Sequence, residues 1–244
     1  MLASPVQVPG NGGSASRRLL WPGVMTAAML ATTASLGVWQ VQRLHWKTRL
    51  LQEIDRGEAA PAVSLPPDPA PFTRVRVTGR LRQDLQALYG IEVRSTTSGP
   101  EMGAYLLNPL ERDGADPVIV NRGWVPLGAP RPGDTVSATV EGYVRAPEKP
   151  VRFGAADDPL ARRFYALDPG PIAASLGLSH AAPFTLVALG PAAPGIYPEP
   201  ATALPRPANN HLSYAITWFG LAASLLVIFA IYARRALRLG RRRL

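Results

Sequence analysis

His211 is one of three histidines in the chain and stands directly before an apolar run that carries no charge. If that run is helical, residues spaced i, i+3, i+4 and i+7 share one face of it. Four residues have this spacing: His211, Tyr214, Ala215 and Trp218. An imidazole in this place is either a ligand-binding group or a polar start of the helix, with Asn209 or Asn210 as its cap.

Two long apolar stretches must position this histidine. Residues 19–41 and 212–233 form stretches of 23 and 22 residues without a charge. At 1.5 Å per residue in a helix, each exceeds the roughly 30 Å hydrocarbon core of a bilayer. Trp39, Trp46 and Tyr232 lie near their ends, where aromatic rings favour the membrane interface. Because the first stretch is too long for an ordinary signal peptide, we predict two uncleaved membrane spans.

The surplus charge of the chain flanks these two stretches. All 17 acidic residues lie between positions 44 and 211 together with 17 Lys and Arg, so this segment is neutral by count. Nine arginines make up the surplus: Arg17, Arg18, Arg43, Arg234, Arg235, Arg238, Arg241, Arg242 and Arg243. This arrangement suits anionic lipid headgroups, whereas nucleic-acid binding would need a basic face on the folded domain. We therefore expect the lipid bilayer as a partner and no nucleic acid.

The same arginines predict the orientation in the membrane. Six of them follow the second span, which places the C-terminus in the cytoplasm. With two spans the N-terminus lies on the same side, and the domain between the spans is extracytoplasmic. The N-terminal tail is rich in Gly, Ser and Pro and does not resemble a transit peptide, which favours a bacterial plasma membrane over a mitochondrion.

The predicted fold class is α+β, with two transmembrane helices flanking a mainly antiparallel β-sheet or small barrel. Six segments have the pattern of strands: FTRVRVTGRL, QALYGIEV, AYLLNPLE, PVIVNRGWV, TVSATVEGYV and PFTLVAL. A short helix is predicted in DPGPIAASLGL, with Asp168 as its cap. The predicted boundaries are a disordered cytoplasmic tail 1–18, transmembrane helix 19–42, a membrane-proximal helix and Pro-rich linker 43–71, the extracytoplasmic β domain 72–190, a Pro-rich strap 191–210, transmembrane helix 211–233 and a basic cytoplasmic tail 234–244.

Motifs of covalent catalysis are missing from the sequence. It contains no cysteine, P-loop, G-x-S-x-G elbow or H-E-x-x-H pattern. Asp157 and Asp158 are adjacent carboxylates, which we interpret as solvated loop charges rather than an acid and a base across a substrate. His180 is interpreted as a loop residue. We expect the protein not to be an enzyme; an activity that depends on Asp157 or Asp158 would revive that alternative.

The segment PVIVNRGWVP is predicted to form a buried strand, and it contains a glycine next to a tryptophan and an arginine. Gly123 supplies a backbone conformation that other residues resist, as in a β-bulge. Trp124 and Arg122 are residue types that often anchor interfaces. The triplet Arg122, Gly123 and Trp124 is therefore either a bulge packed on the core or a partner-binding patch.

Three blocks of the sequence together resemble the Surf1 (Shy1) family: LGVWQVQRLHWK at the end of the first span, PVIVNRGWVP in the domain and NNHLSYAITWFGLA at the start of the second span. They occur in the order of the family, and MGAYLLNPL with Gly103 resembles a further block. The resemblance implies an assembly factor for haem-copper cytochrome c oxidase. It also implies that the chain binds haem a, as reported for bacterial members, and that it works with the catalytic subunit and other assembly factors.

With this resemblance, His211 becomes the expected ligand of the haem iron, since neutral imidazole is a common axial ligand. The haem macrocycle would lie among Tyr214, Trp218 and the first helix, and Arg43 would pair with a haem propionate. His45 is left open as a second ligand. The alternative is a scaffold that holds oxidase subunits without binding haem, in which His211 is a helix cap.

Overall fold

The computed structural model describes residues 15–129, 133–193 and 195–241. The chain forms two compact units. One comprises the chain up to Leu50 and from Pro207 onward, and the other comprises Leu51–Arg206. The first unit contains most of two long helices, and the second contains a β domain.

The first unit is built from α1 (Ala15–Ala59) and α3 (His211–Arg241). Both are long and apolar enough to cross a membrane, over Leu19–Ala59 and His211–Arg238, so the two predicted spans are confirmed as candidate membrane helices. The predicted membrane-proximal helix is the continuation of α1 to Ala59. The predicted disordered tail differs at its end, because α1 already begins at Ala15; its residues 1–14 lie outside the described part of the chain, as do residues 242–244 of the basic tail.

The two helices of this unit are in close contact at Gly37 of α1, which faces the Phe219 ring of α3. A Cβ at Gly37 would come within 2.8 Å of the Phe219 ring, and Ala215 is buried. Close approach of backbones at Gly and Ala is the usual way in which membrane helices associate. This contact fixes the neighbours of His211, which is the first residue of α3.

The second unit contains eight strands and one short helix. Their bounds are β1 (Val63–Ser64), β2 (Arg74–Leu81), β3 (Ala87–Thr96), β4 (Gly99–Arg112), β5 (Ala115–Pro126), β6 (Val136–Arg145), β7 (Arg163–Phe164), α2 (Pro169–Ser175) and β8 (Thr185–Ala188). All six predicted strands are present, and β1 and β7 are two-residue additions. The predicted α2 is also confirmed: the Asp168 side chain accepts a hydrogen bond from the Gly170 N–H, and Pro169 occupies the first turn.

The sheet closes on itself through five strands. β2 pairs with β6, β6 with β8, β8 with β5, β5 with β4, and β4 again with β2. Four of these contacts are antiparallel and one, between β5 and β8, is parallel. The α+β class and the small, mainly antiparallel barrel are therefore confirmed. The parallel pair arises because the chain passes through α2 before β8, and parallel strands need such a crossover.

Successive side chains of β5 alternate between two hydrophobic cores. Val118 and Val120 of β5 belong to the cluster inside the ring, with Val75, Leu110 and Leu186. Ile119, between them, belongs to a second cluster that packs α2 against the outer face of the sheet. Side chains that follow Val120 on the same side of β5 therefore point towards the mouth of the barrel.

Candidate functional site

His211 is held by a hydrogen bond to a glutamine of the other long helix. Its ring atom Nδ1 lies 2.7 Å from Oε1 of Gln40. Because an amide oxygen only accepts hydrogen bonds, Nδ1 is the donor of this contact, and in the neutral tautomer that makes it Nε2 carries the lone pair. This is the arrangement of metal-binding histidines, whose second nitrogen donates to a carbonyl or carboxylate that fixes the tautomer and the ring orientation.

The Gln40 side chain is placed for this role by the packing of α1. It is 8% exposed although it is a polar residue inside an apolar helix. The His211 ring also stands edge-on to the Trp39 indole, with 6.4 Å between the ring centroids. A buried glutamine oxygen in contact with one imidazole nitrogen holds the ring in place, so that the other nitrogen can bind a ligand without further ordering.

The remaining predicted site residues lie on the same two helices but are not bonded to His211. Tyr214 is 56% exposed, and Trp218 is partly buried one helical turn further along α3. Arg43 lies three residues after Gln40, with its guanidinium 4.6 Å from the centroid of the Trp46 ring. In the described part of the chain, Arg43 forms no salt bridge, so its charge is free to pair with an added carboxylate.

His45, the possible second ligand, is exposed on α1. It makes no hydrogen bond to any residue that the structure describes. The structure thus brings Gln40 and Trp39 to His211, whereas Arg43, His45, Tyr214 and Trp218 remain neighbours on the helices without a direct bond to it.

The contacts at the start of α3 bear on the helix-cap interpretation of His211. The His211 ring is bonded to Gln40 instead of a backbone N–H of α3. Asn209 donates from its side-chain nitrogen to Thr48 Oγ1 at 3.5 Å, and its Oδ1 is buried without a partner among the described residues. The Asn210 backbone oxygen accepts the first hydrogen bond of the helix, from the Tyr214 N–H at 3.4 Å, so Asn210 occupies the cap position.

These residues fit an iron porphyrin as a cargo. The group needs an axial ligand, an apolar surface for its ring and a cation for its carboxylates. His211 has a second ring nitrogen that makes no hydrogen bond to a described residue, Tyr214 and Trp218 carry aromatic rings on the same helix face, and Arg43 forms no salt bridge in the described part of the chain. The donor set is that of a single imidazole.

The triplet predicted as a bulge or partner patch lies in the second unit, at the end of β5. Gly123 has φ of +127° and faces the Glu199 backbone so closely that a Cβ would overlap the Glu199 carbonyl. Trp124 is 1% exposed, and its Nε1 donates to the Glu92 carbonyl at 3.1 Å. The predicted bulge is confirmed, and Trp124 is a core residue in this structure. The role of this triplet in partner binding stays a prediction, and Arg122 is its member nearest to solvent.

The residues considered for acid–base chemistry hold loop backbone. Asp157 Oδ1 accepts from the Tyr165 N–H at 2.6 Å, and Asp158 Oδ1 accepts from the Ala161 N–H at 3.0 Å. His180 is exposed in a loop. Within residues 15–129, 133–193 and 195–241, the structure shows no group of three His, Asp or Glu side chains that could hold a metal ion.

Gln40 is the site residue whose role was missed by sequence reasoning. The signal that could have found it is a glutamine among apolar residues, at the next-to-last position of the charge-free stretch 19–41. A polar side chain at such a position needs a hydrogen-bond partner, and a histidine of the neighbouring helix is a suitable one.

Comparison with known proteins identifies relatives over most of the chain. The model of the SURF1 family matches residues 27–223. The SURF1-like protein of Rickettsia felis is 30% identical over 214 residues, which cover 83% of this chain and 92% of that protein. The SURF1-like protein of Rickettsia conorii is 31% identical over 214 residues, covering 82% and 86%. Surfeit locus protein 1 of Xenopus tropicalis is 30% identical over 217 residues, covering 79% and 69%.

Proposed function

The chain belongs to the SURF1 family, and from this membership we propose that it is an assembly factor for haem-copper cytochrome c oxidase. It binds haem a at the outer leaflet of the membrane and helps to deliver it to the catalytic subunit of the oxidase. The family in general is known for the assembly of cytochrome oxidase, and this supports the proposed role of the chain in that assembly. The hydrogen bond between His211 and Gln40 is the observation that supports haem as the cargo.

Each residue of the site has a physical task in this proposal. Nε2 of His211 ligates the iron, and Gln40 holds the imidazole in the tautomer that leaves Nε2 free. Tyr214 and Trp218 offer aromatic surface to the macrocycle. Arg43 pairs with a propionate, since a guanidinium recognises a carboxylate through two parallel hydrogen bonds.

Release follows from the same arrangement. His211 would hold the iron through one nitrogen, and a single protein ligand would let the oxidase take the group over. The task of the protein is capture, orientation and transfer, and none of these steps needs a catalytic acid or base. We therefore assign the protein a non-enzymatic role.

The membrane topology completes the proposal. The six arginines that follow the second span support a cytoplasmic location of both termini, and the Gly-, Ser- and Pro-rich tail supports a bacterial plasma membrane. The β domain then lies outside the cytoplasm, where it contacts the oxidase and other assembly factors. His211 begins α3 and Arg43 follows the charge-free stretch of α1, so in this topology both lie at the outer leaflet.

The experiment is complementation of a bacterial strain that lacks its own family member. Membranes are compared for oxidase haem a content and for assembled catalytic subunit, with wild type, His211→Ala and His45→Ala at matched protein levels. We expect His211→Ala to lower the haem a content of the oxidase several-fold and His45→Ala to leave it unchanged. Full oxidase assembly with His211→Ala would favour a haem-independent scaffold. No rescue by the wild type would contradict the assembly function itself.

A further inference from the structure

Arg122 is the extra residue of the β-bulge in β5. Gly123 lies opposite Leu106 and Asn121 lies opposite Leu107, so Arg122 has no partner in the strand ladder. β-Bulges change the direction of a side chain and are frequent next to functional sites. Here the bulge turns an arginine to the side of the strand that faces the mouth of the barrel.

The contacts of Arg122 show where the guanidinium lies. Its Nη1 donates to Gln83 Oε1 at 3.0 Å and approaches Asn108 Oδ1 at 3.4 Å. Asn108 is fully buried, is paired with Val120 in the ladder and donates from Nδ2 to the carbonyls of Arg82 and Leu85. The amide oxygen of Asn108 is therefore held towards the arginine.

Both acceptors of Arg122 are neutral amides, and no carboxylate pairs with it in the part of the chain that the structure describes. Burial lowers the pKa of the Arg122 guanidinium, with no opposing contribution from an acidic residue. Arg94, another partly buried arginine of the domain, is instead paired with Glu92 and Glu199. A partly buried cation without a counter-charge is costly and is uncommon unless an anion joins it.

A cavity of about 390 Å³ lies next to this guanidinium. Its apolar lining comes from the barrel and from the segment that returns from β8: Leu81, Val120, Val140, Ala188, Ile196 and Tyr197. This volume is within the range of small-molecule sites. Glu141 also borders the cavity, but its two oxygens are bonded to Arg74 at 2.8 Å and Arg76 at 2.9 Å, so its charge is compensated.

We propose that this cavity binds a small organic carboxylate, with its anionic group on Arg122 and its apolar body against the lining of the barrel mouth. Nε and Nη2 of Arg122 have no acceptor among the described residues, and these two atoms form the edge that binds a carboxylate through parallel hydrogen bonds. One free cation matches a monoanion better than a phosphate dianion. The apolar lining favours a ligand with a hydrocarbon part over an inorganic anion.

The test uses the full-length protein in detergent and titrates it with sodium butyrate at constant ionic strength by calorimetry. Butyramide, which has the same shape and no charge, and inorganic phosphate are titrated in parallel. We expect butyrate to bind and the other two to bind at least about tenfold more weakly, since a hydrogen-bonded charge contributes that much. Equal binding of butyramide, tighter binding of phosphate or no binding of butyrate would overturn the proposal.

Variants locate the site. Arg122→Gln is expected to weaken butyrate binding at least about tenfold, because it removes the charge. Arg152→Gln, at an exposed loop arginine without a carboxylate partner among the described residues, is expected to change nothing. Equal loss in both variants, or no loss in Arg122→Gln, would contradict the assignment.

A measurement on the wild type keeps the test independent of whether Arg122→Gln folds. Phenylglyoxal labels accessible arginines, and peptide mass spectrometry follows each one. Butyrate is expected to slow labelling at Arg122 several-fold and leave Arg152 unaffected, whereas butyramide protects neither. Unchanged labelling of Arg122 in butyrate would overturn the proposal. The site lies in the β domain, so the outcome is separate from that of haem binding at His211.

Discussion

The side-chain oxygen of Gln40 lies 2.7 Å from Nδ1 of His211, and this contact links α1 to the first residue of α3. It fixes which nitrogen of the imidazole carries the proton. It also gives a buried polar atom of an apolar helix the partner that it needs. In the proposed haem site, Gln40 is thus a positioning residue that acts through His211.

Replacing Gln40 by Leu is expected to weaken haem binding without removing the ligand. Loss of an outer partner of a metal-binding histidine typically costs about 10–100-fold in affinity. Haem titration of the purified protein measures the change. Gln42→Leu, two residues further on an exposed face of α1, is the matched control. Equal affinity of Gln40→Leu and Gln42→Leu would show that the contact has no role in ligand binding.

Gly103 is expected to tolerate no side chain. A Cβ at this position would overlap the Trp124 indole and the Val125 carbonyl, both of which are buried. Gly103→Ala should lower the free energy of unfolding by about 1–3 kcal/mol, as overpacking of a core does. Denaturant unfolding of the purified protein measures it. Gly128→Ala, where a Cβ meets nothing within 4 Å, is the control and should be close to neutral.

The stability of the β domain is expected to fall in alkaline solution through Tyr89. Burial, together with the hydrogen bond to Glu148, raises the pKa of Tyr89 to about 12 from an ordinary value of 10.0. The folded state therefore holds the phenol proton more tightly than the unfolded state. Its contribution is complete below about pH 10 and is lost as the pH rises through about 12.

Unfolding midpoints at pH 9 and pH 11 measure this loss. Tyr89→Phe should reduce the difference between the two midpoints, whereas Tyr165→Phe, at a hydroxyl without a partner among the described residues, should retain it. The loss is reduced rather than abolished, because burial also raises the pKa of Tyr105 and Tyr143. An unchanged difference in Tyr89→Phe would contradict the assignment.

Two arginines form ion pairs that involve the Pro-rich segment 191–210, and their replacement should change the stability of the protein to different extents. Arg94 is bonded to Glu199 at 2.9 Å and to Glu92, and its guanidinium lies 5.5 Å from the Trp124 ring centroid. Arg94→Gln should lower the free energy of unfolding by about 1–2 kcal/mol, because the pairs and the ring contact are partly shielded from water. Arg206 is paired with Asp55 and Glu58 at an exposed position, where solvent screens the charges.

Arg206→Gln should therefore leave the unfolding midpoint unchanged within error. Both variants are compared in the same denaturant titration at low and high salt. A larger loss from Arg206→Gln than from Arg94→Gln would reverse the ranking and contradict the argument from burial.

Local patterns predicted the elements, while contacts between distant residues remained hidden. The alternation in RVRVTGRL predicts β2, and Asp168 before a proline predicts α2, because each signal lies within a few residues. The closure of the barrel depends on Leu81 of β2 meeting Leu110 of β4, which no local pattern encodes. The two-residue strands β1 and β7 are too short to show a period.

The same division holds for the candidate sites. His211, Tyr214 and Trp218 share a helix face by their spacing alone, so this part of the haem site was predictable. The partner of His211 was not, since a glutamine on another helix is found only when the helices are packed. Arg122 was considered as part of a partner-binding patch. Its position at a cavity depends on the bulge before Gly123 and on residues 196–198, which line the same cavity.

Haem ligation by His211 is tested most directly by the optical spectrum of the detergent-solubilised protein purified from cells that make haem a. Wild type, His211→Ala and His45→Ala are compared at equal protein concentration, with circular dichroism to verify folding. We expect a Soret band in the wild type that is lost or shifted in His211→Ala and retained in His45→Ala. A wild type without haem, or an identical spectrum in His211→Ala, would contradict His211 as the ligand and leave the family role without a haem-binding step at this site.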